Sequence, residues 1–146
     1  MFIQPVERVL GTYGSHGAGP LLIVVGGVHG NEPAGVFGAR EVLATLAARQ
    51  PEISGRVVFL SGNRAALATA TRYLDIDLNR IWSADQIAAL RTRASSTDRA
   101  EEREQRELLA AIEAELGLQR GKVIFLDLHS TSAGGAPFAL IGDTLQ

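Results

Sequence analysis

Cysteine is missing altogether from this chain of 146 residues, so it can form neither a disulfide nor a thiolate metal site, and any bound metal must be held by His, Asp or Glu. Long hydrophobic runs are missing too. None approaches the roughly 20 apolar residues of a membrane span, and the segment Met1 to Arg8 has no basic stretch leading into an apolar core. A cytoplasmic protein with no membrane partner is the expectation. Nor is there an excess of one charge: the net value of -2 offers no general attraction to nucleic acid or to an anionic surface. What is present, 46% hydrophobic and 21% charged residues, is ordinary for a globular protein with one core.

The apolar run Leu21 to Val25 is short, branched and uncharged, and reads as a strand buried on both faces. Val6 to Tyr13 reads as an earlier strand, separated from it by a segment dense in turn formers that makes the pair resemble a hairpin. His16 falls in that segment as a surface turn residue. From Pro33 to Arg49 the residues Val36, Ala39, Leu43 and Leu46 recur at helical spacing, with Pro33 suited to the first turn and Pro51 to the end. Gly35 and Gly38 in this helix suggest close packing against a sheet. Arg56 to Leu60 is the next buried strand, and the strand, helix, strand order predicts a right-handed crossover to a parallel neighbour. A short helix, Arg64 to Ala70, should follow.

Asp85 to Leu116 is mostly helical by composition, capped by Ser83 and breakable at Arg93 to Thr97. Its mixed-sign run, Asp98 to Glu107, reads as a solvated face, with Leu108, Leu109, Ile112 and Leu116 as the buried stripe and Gly117 as the stop. Lys122 to His129 is expected as another buried strand, and Ala136 to Ile141 as the start of one more. These elements imply an α/β fold with a mixed, largely parallel sheet flanked by helices.

Three places carry polar groups at the ends of these elements. Gly26-Gly27-Val28-His29-Gly30-Asn31-Glu32-Pro33 puts an imidazole and a carboxylate three residues apart in a turn between strand end and helix start, where ligands bind in open α/β sheets. Such a pair suits zinc and leaves room for a third ligand and a water; a loop histidine and an acid at a helix N-terminus would look the same. Arg72 and Arg80, beside Asn79, form either an anion grip of carboxylate-binding forks or surface pairs with Asp75 and Asp77. Period two puts Asp127 and His129 on one face of their strand, and a buried strand that turns polar in its last residues is reaching a site.

His29-x-x-Glu32, Asp77-Leu78-Asn79-Arg80 and Asp127-Leu128-His129, in this order and with Thr71-Arg72-Tyr73 between the first two, resemble the zinc carboxypeptidase superfamily, and within it the aspartoacylase and succinylglutamate desuccinylase branch. The resemblance runs from about Leu21 to Ser132. It implies a zinc-carboxypeptidase-like fold with one zinc ion on His29, Glu32 and His129. Arg72, Asn79 and Arg80 would bind the substrate carboxylate and polarise the scissile carbonyl, and Asp77 would orient a ligand histidine. Asp127 receives no role from it. The implied reaction is hydrolysis of the amide bond of a small anionic N-acyl amino acid.

One departure stands beside these matches. The superfamily draws its general base from a glutamate on a later strand, and beyond His129 this chain offers only Asp143, in a turn signal. The expectation is therefore a single, incomplete catalytic domain over residues 1–146, truncated at the C-terminus, with no catalytic base and little activity alone. An open sheet edge should favour a homo-oligomer. A zinc carboxypeptidase acting on peptides and a non-catalytic metal-binding module are the competing readings.

Overall fold

The computed structural model describes residues 5–131, 134–140 and 142. Four strands form one sheet: β1 (Val9–Gly14), β2 (Leu21–Gly26), β3 (Arg56–Ser61) and β4 (Val123–Leu128), in the order β1-β3-β2-β4. β2 runs parallel to both β3 and β4, and β1 is antiparallel to β3. The sheet is thus mixed and largely parallel, as the sequence predicts.

Alternation along β2 and β3 decides which helix covers which face. Leu21, Ile23 and Val25 join Val58 and Leu60 in one buried cluster with Leu78 and Leu108. Val24, Val57 and Phe59 turn the other way and pack with Ala39, against Leu43 and Leu46. The second face belongs to α1 (Ala34–Arg49). The first belongs to α4 (Ala100–Leu118), which follows α2 (Arg64–Thr69), α3 (Ala84–Thr92) and two 3₁₀ turns, Leu78–Arg80 and Ser95–Thr97. Strands apolar on both faces are buried only in a sheet covered on both sides, and fully burying each large apolar side chain contributes about 1.5–3 kcal/mol.

Several expectations are corrected here. β1 does not form a hairpin with β2: β2 is flanked by β3 and β4, so β1 pairs with the remaining edge of β3. β4 is an edge strand, and Val123, Ile124, Phe125 and Leu126 are exposed rather than buried. Residues 136–140 are not in a strand, and among the described residues no strand pairs with them; Ile141, Ser132 and Asp143 lie outside the described residues. Gly35 packs as expected, with a Cβ there reaching 2.9 Å from Leu128, but Gly38 faces open space. Helix α4 continues through Gly117 to Leu118. Ser83 does cap α3, in a reciprocal box with Gln86.

The largest correction concerns the charged run on α4. Glu101, Glu102, Glu104 and Gln105 are buried. Alternating charge normally marks solvent exposure, but here each acid meets a fixed donor. Arg8 and Arg64 bond Glu104, Arg93 and Arg99 bond Glu102, and Asn63 donates to Glu101. A segregated charge pattern and a buried network have the same composition, and only the tertiary partners tell them apart.

Candidate metal centre

His29 leaves the end of β2 in a turn that only small residues can make. Gly27 has φ of +75°, a left-handed backbone that disfavours any Cβ. At Gly30 a Cβ would lie 2.1 Å from the backbone of Ala66, so α2 can approach the turn only because no side chain is there. The carbonyls of Gly26 and Gly27 accept from the N–H groups of Gly62 and Asn63, both at 2.8 Å, and Glu32 N–H closes the turn on the His29 carbonyl at 3.0 Å. His29 is thereby held 3% exposed just past the carboxyl end of β2.

Glu32 lies between two imidazoles. Its Oε1 is 3.1 Å from His29 Nδ1 and its Oε2 is 3.1 Å from His129 Nδ1. The rings stand 5.0 Å apart at 54°. One ligand atom from each of His29, Glu32 and His129 falls within 4.8 Å of the others, so the three could hold a metal ion.

Each histidine is backed by an aspartate. His29 Nε2 lies 3.0 Å from Asp77 Oδ1, and His129 Nε2 lies 2.8 Å from Asp127 Oδ2. For an ion held by the two Nδ1 atoms, the ligating tautomer would carry its proton on Nε2, donated to the aspartate behind each ring. The donor set fits zinc: two imidazoles backed by carboxylates, which would ligate as neutral rings, one acid, and no sulfur. Asp127, to which the family resemblance assigns no role, thus stands directly behind His129. Its signal was already present, two residues from His129 on the same face of the strand.

Asp77 is itself fixed by Asn79 N–H at 2.9 Å. Burial pushes its carboxyl up, but that bond and the neighbouring His29 outweigh burial and hold it below the ordinary carboxylate range. Glu32 behaves alike: burial raises it, and the Ser130 N–H at 3.0 Å with both imidazoles brings it down. Both acids are ionised at neutral pH, as metal binding requires.

A cavity of about 580 Å³ opens over this group, lined by His29, Glu32, Arg72, Asn79 and His129 among others. Arg72 donates to Glu32 Oε1 at 3.3 Å and lies 3.7 Å from Asp77, with 47% of its side chain exposed. Arg80 takes a different place: it donates to the Asn79 carbonyl at 3.2 Å and does not line the cavity. His16 lies elsewhere, 3.6 Å from Glu115. No helix among the described residues is long and apolar enough to cross a membrane.

Comparisons with known proteins point the same way. A family profile for the succinylglutamate desuccinylase/aspartoacylase catalytic domain matches residues 18–141. The N-acyl-aromatic-L-amino acid amidohydrolase (carboxylate-forming) of Mus musculus is 38% identical over 117 residues, covering 78% of this chain and 35% of the relative. The succinylglutamate desuccinylase of Pseudomonas syringae pv. tomato is 34% identical over 62 residues, 42% of this chain and 18% of the relative. Among solved structures, murine aminoacylase 3 superposes with a TM-score of 0.58 at 33% identity, over 79% of this chain and 36% of that one. The succinylglutamate desuccinylase of Chromobacterium violaceum, with a TM-score of 0.62 at 24% identity over 77% of this chain and 34% of that one, shares the fold. The chain spans about a third or less of the length of these proteins.

Proposed function

The chain belongs to the succinylglutamate desuccinylase/aspartoacylase catalytic-domain family of hydrolases, and from that premise we propose that it carries the zinc-binding and substrate-anchoring part of an enzyme that hydrolyses the amide bond of N-acyl amino acids. The observation that carries this reading is the convergence of His29, Glu32 and His129, each histidine backed by its own aspartate. Zinc bound there would supply Lewis-acid polarisation of the amide carbonyl and a water activated near pH 7.

The chain's own residues divide the remaining work. Asp77 and Asp127 hold the two imidazoles in the ligating tautomer. Arg72, on the cavity wall and largely exposed, presents a planar fork for the carboxylate of an anionic substrate. Asn79 lines the same wall, and its side-chain amide would orient the substrate by hydrogen bonds. Arg80, turned to the Asn79 carbonyl, would join them only by a rotation of its side chain.

Among the described lining residues Glu32 is the one carboxylate, and as a ligand it is not free to take a proton. We therefore assign no general base among the described lining residues and expect this chain alone to bind metal without appreciable turnover, a general base being worth about 10² to 10⁴ in rate. The deciding experiment is metal analysis of the 146-residue chain. One zinc per chain, lost in His29→Ala and in His129→Ala, is expected; equal zinc in all three would refute the site. Turnover of N-acyl amino acids in preference to peptides by a longer protein containing this chain would complete the case, and the reverse preference would favour a peptidase.

A further inference from the structure

Helix α4 does more than cover the sheet. Glu101, in its first turn, is fully buried, and its carboxylate is filled by four donors. Leu74 N–H and Asn63 Nδ2 reach Oε1 at 2.7 and 3.0 Å, while the N–H groups of Asp75 and Ile76 reach Oε2 at 3.0 Å each. An ionised carboxylate offers about four acceptor sites, so this one is saturated. The loop answers in kind: Asp75 Oδ2 accepts the Ala100 N–H at the start of α4, at 2.8 Å. Past the loop, the Gln105 amide donates to the Ile81 carbonyl. Three consecutive N–H groups on one side chain leave the backbone from Leu74 to Ile76 almost no freedom to slide.

That backbone separates the two residues that matter for the metal centre. Arg72 precedes it and Asp77 follows it. We propose that Glu101 is a positioning residue of the metal centre, which acts at a distance by pinning the loop that sets Asp77 behind His29 and Arg72 against Glu32. This rests on the metal-site reading given above. A buried carboxylate is a poor device for stability alone, because its desolvation cost offsets much of what its bonds return. It is a good device for geometry, since charge-assisted bonds are short and directional. Burial pushes the Glu101 carboxyl up, but its donors outweigh burial and hold it below the ordinary range, so it stays ionised in neutral solution.

The test uses the 146-residue chain, with amide hydrogen exchange and Co²⁺ affinity as readouts. In the wild type the Leu74, Asp75 and Ile76 amides should exchange as slowly as those of β3, although they lie in a loop; fast exchange there overturns the proposal. Glu101→Gln, which aims an amide donor at other donors, should speed those three while Ile23 and Val58 stay protected. It should also weaken Co²⁺ binding about tenfold, the low end of what removing a direct hydrogen-bond partner of a ligand costs. Because Glu101 acts through Asp77 and Arg72, adding Glu101→Gln to the double variant Asp77→Asn, Arg72→Gln should lose no more than that double variant alone. Multiplied losses, or unchanged affinity in Glu101→Gln, overturn it. Should that variant fail to fold, Asp75→Ala removes only the return bond and should give the same pattern at a few-fold size; unchanged exchange and affinity in it would also overturn the proposal. A wild type that binds no Co²⁺ refutes the site reading and this inference together, whereas a binding wild type matched by Glu101→Gln refutes this inference alone.

Discussion

The two histidine arms of the centre use the same parts in unequal settings. His29 follows the inner strand β2, 3% exposed, with its aspartate fixed by Asn79 and its loop fixed by α4. His129 follows the edge strand, its side chain 31% exposed, with an aspartate from the same strand behind it. One arm is built by packing from every side. The other is built by strand geometry, which needs only that residues two apart share a face. On the proposed reading, the ligand set is half preorganised by the core and half by a local repeat, and the two halves should fail differently.

The largest effect tests whether both arms are needed at all. Either His29→Ala or His129→Ala should abolish stoichiometric zinc binding, measured by metal analysis after gel filtration, because two ligands alone do not hold the ion against water. Retention by one variant only would make that arm dispensable. Next in size are truncations in the frameworks behind the arms. Leu60→Ala, fully buried beside β2, should cost about 2–5 kcal/mol in urea unfolding. Phe125→Ala on β4, 54% exposed, should cost less than about 1 kcal/mol. Equal costs would mean that β4 is as well supported as β2, and the contrast between the arms would fall.

The same contrast explains what the sequence could disclose. His29 and Glu32 were legible because the turn carries its own signals, a buried apolar run before it and a helix-starting proline after it. Asp127 and His129 were legible as a pair through period two, although the aspartate's task was not. The exposure of β4 is not legible in the sequence, because an apolar strand reads alike whether or not a neighbour covers it. Glu101 was invisible for the opposite reason: in sequence it is one acid in an alternating run, and its partners Asn63, Leu74 and Ile76 lie 38, 27 and 25 residues away. Local patterns expose what local geometry builds. Buried polar networks depend on which loop arrives opposite which helix, and no single window of sequence contains that.

Third in size, and aimed at the arms directly, are the two aspartates. Asp77→Asn and Asp127→Asn each keep the shape and remove the charge that favours the ligating tautomer, so each should weaken zinc binding within the range of about 10–100-fold. The Asp77 side chain is 19% exposed and Asp127 28%, and water replaces a lost partner more easily at the more open site. Competition titration against a chelating dye should therefore rank Asp77→Asn as the worse variant. An inverted ranking would show that strand geometry, not packing, sets the stronger arm.

The smallest effect is the acid response of the framework behind His29. At the start of α4, Glu102 accepts from the Arg99 side chain and its own N–H, and Arg93 adds a third contact. Arg99's side-chain bond, assisted by the N–H and Arg93 and opposed by burial, lowers the Glu102 pKa to about 2. A folded-state pKa below the unfolded one means that the unfolded chain binds more protons between the two, so stability rises with pH across that window. The contribution is fully present above the ordinary carboxylate range and is lost as pH falls through about 2. Because Arg93 and Arg99 are well exposed, solvent screening keeps it small. Urea unfolding between pH 6 and pH 3 should show a shallow decline that is flatter in Glu102→Gln. An equal slope in the variant would move the acid response to the other lowered carboxylates, Asp98 held by Arg106 foremost, and would separate the brace on α4 from the loop that Glu101 holds.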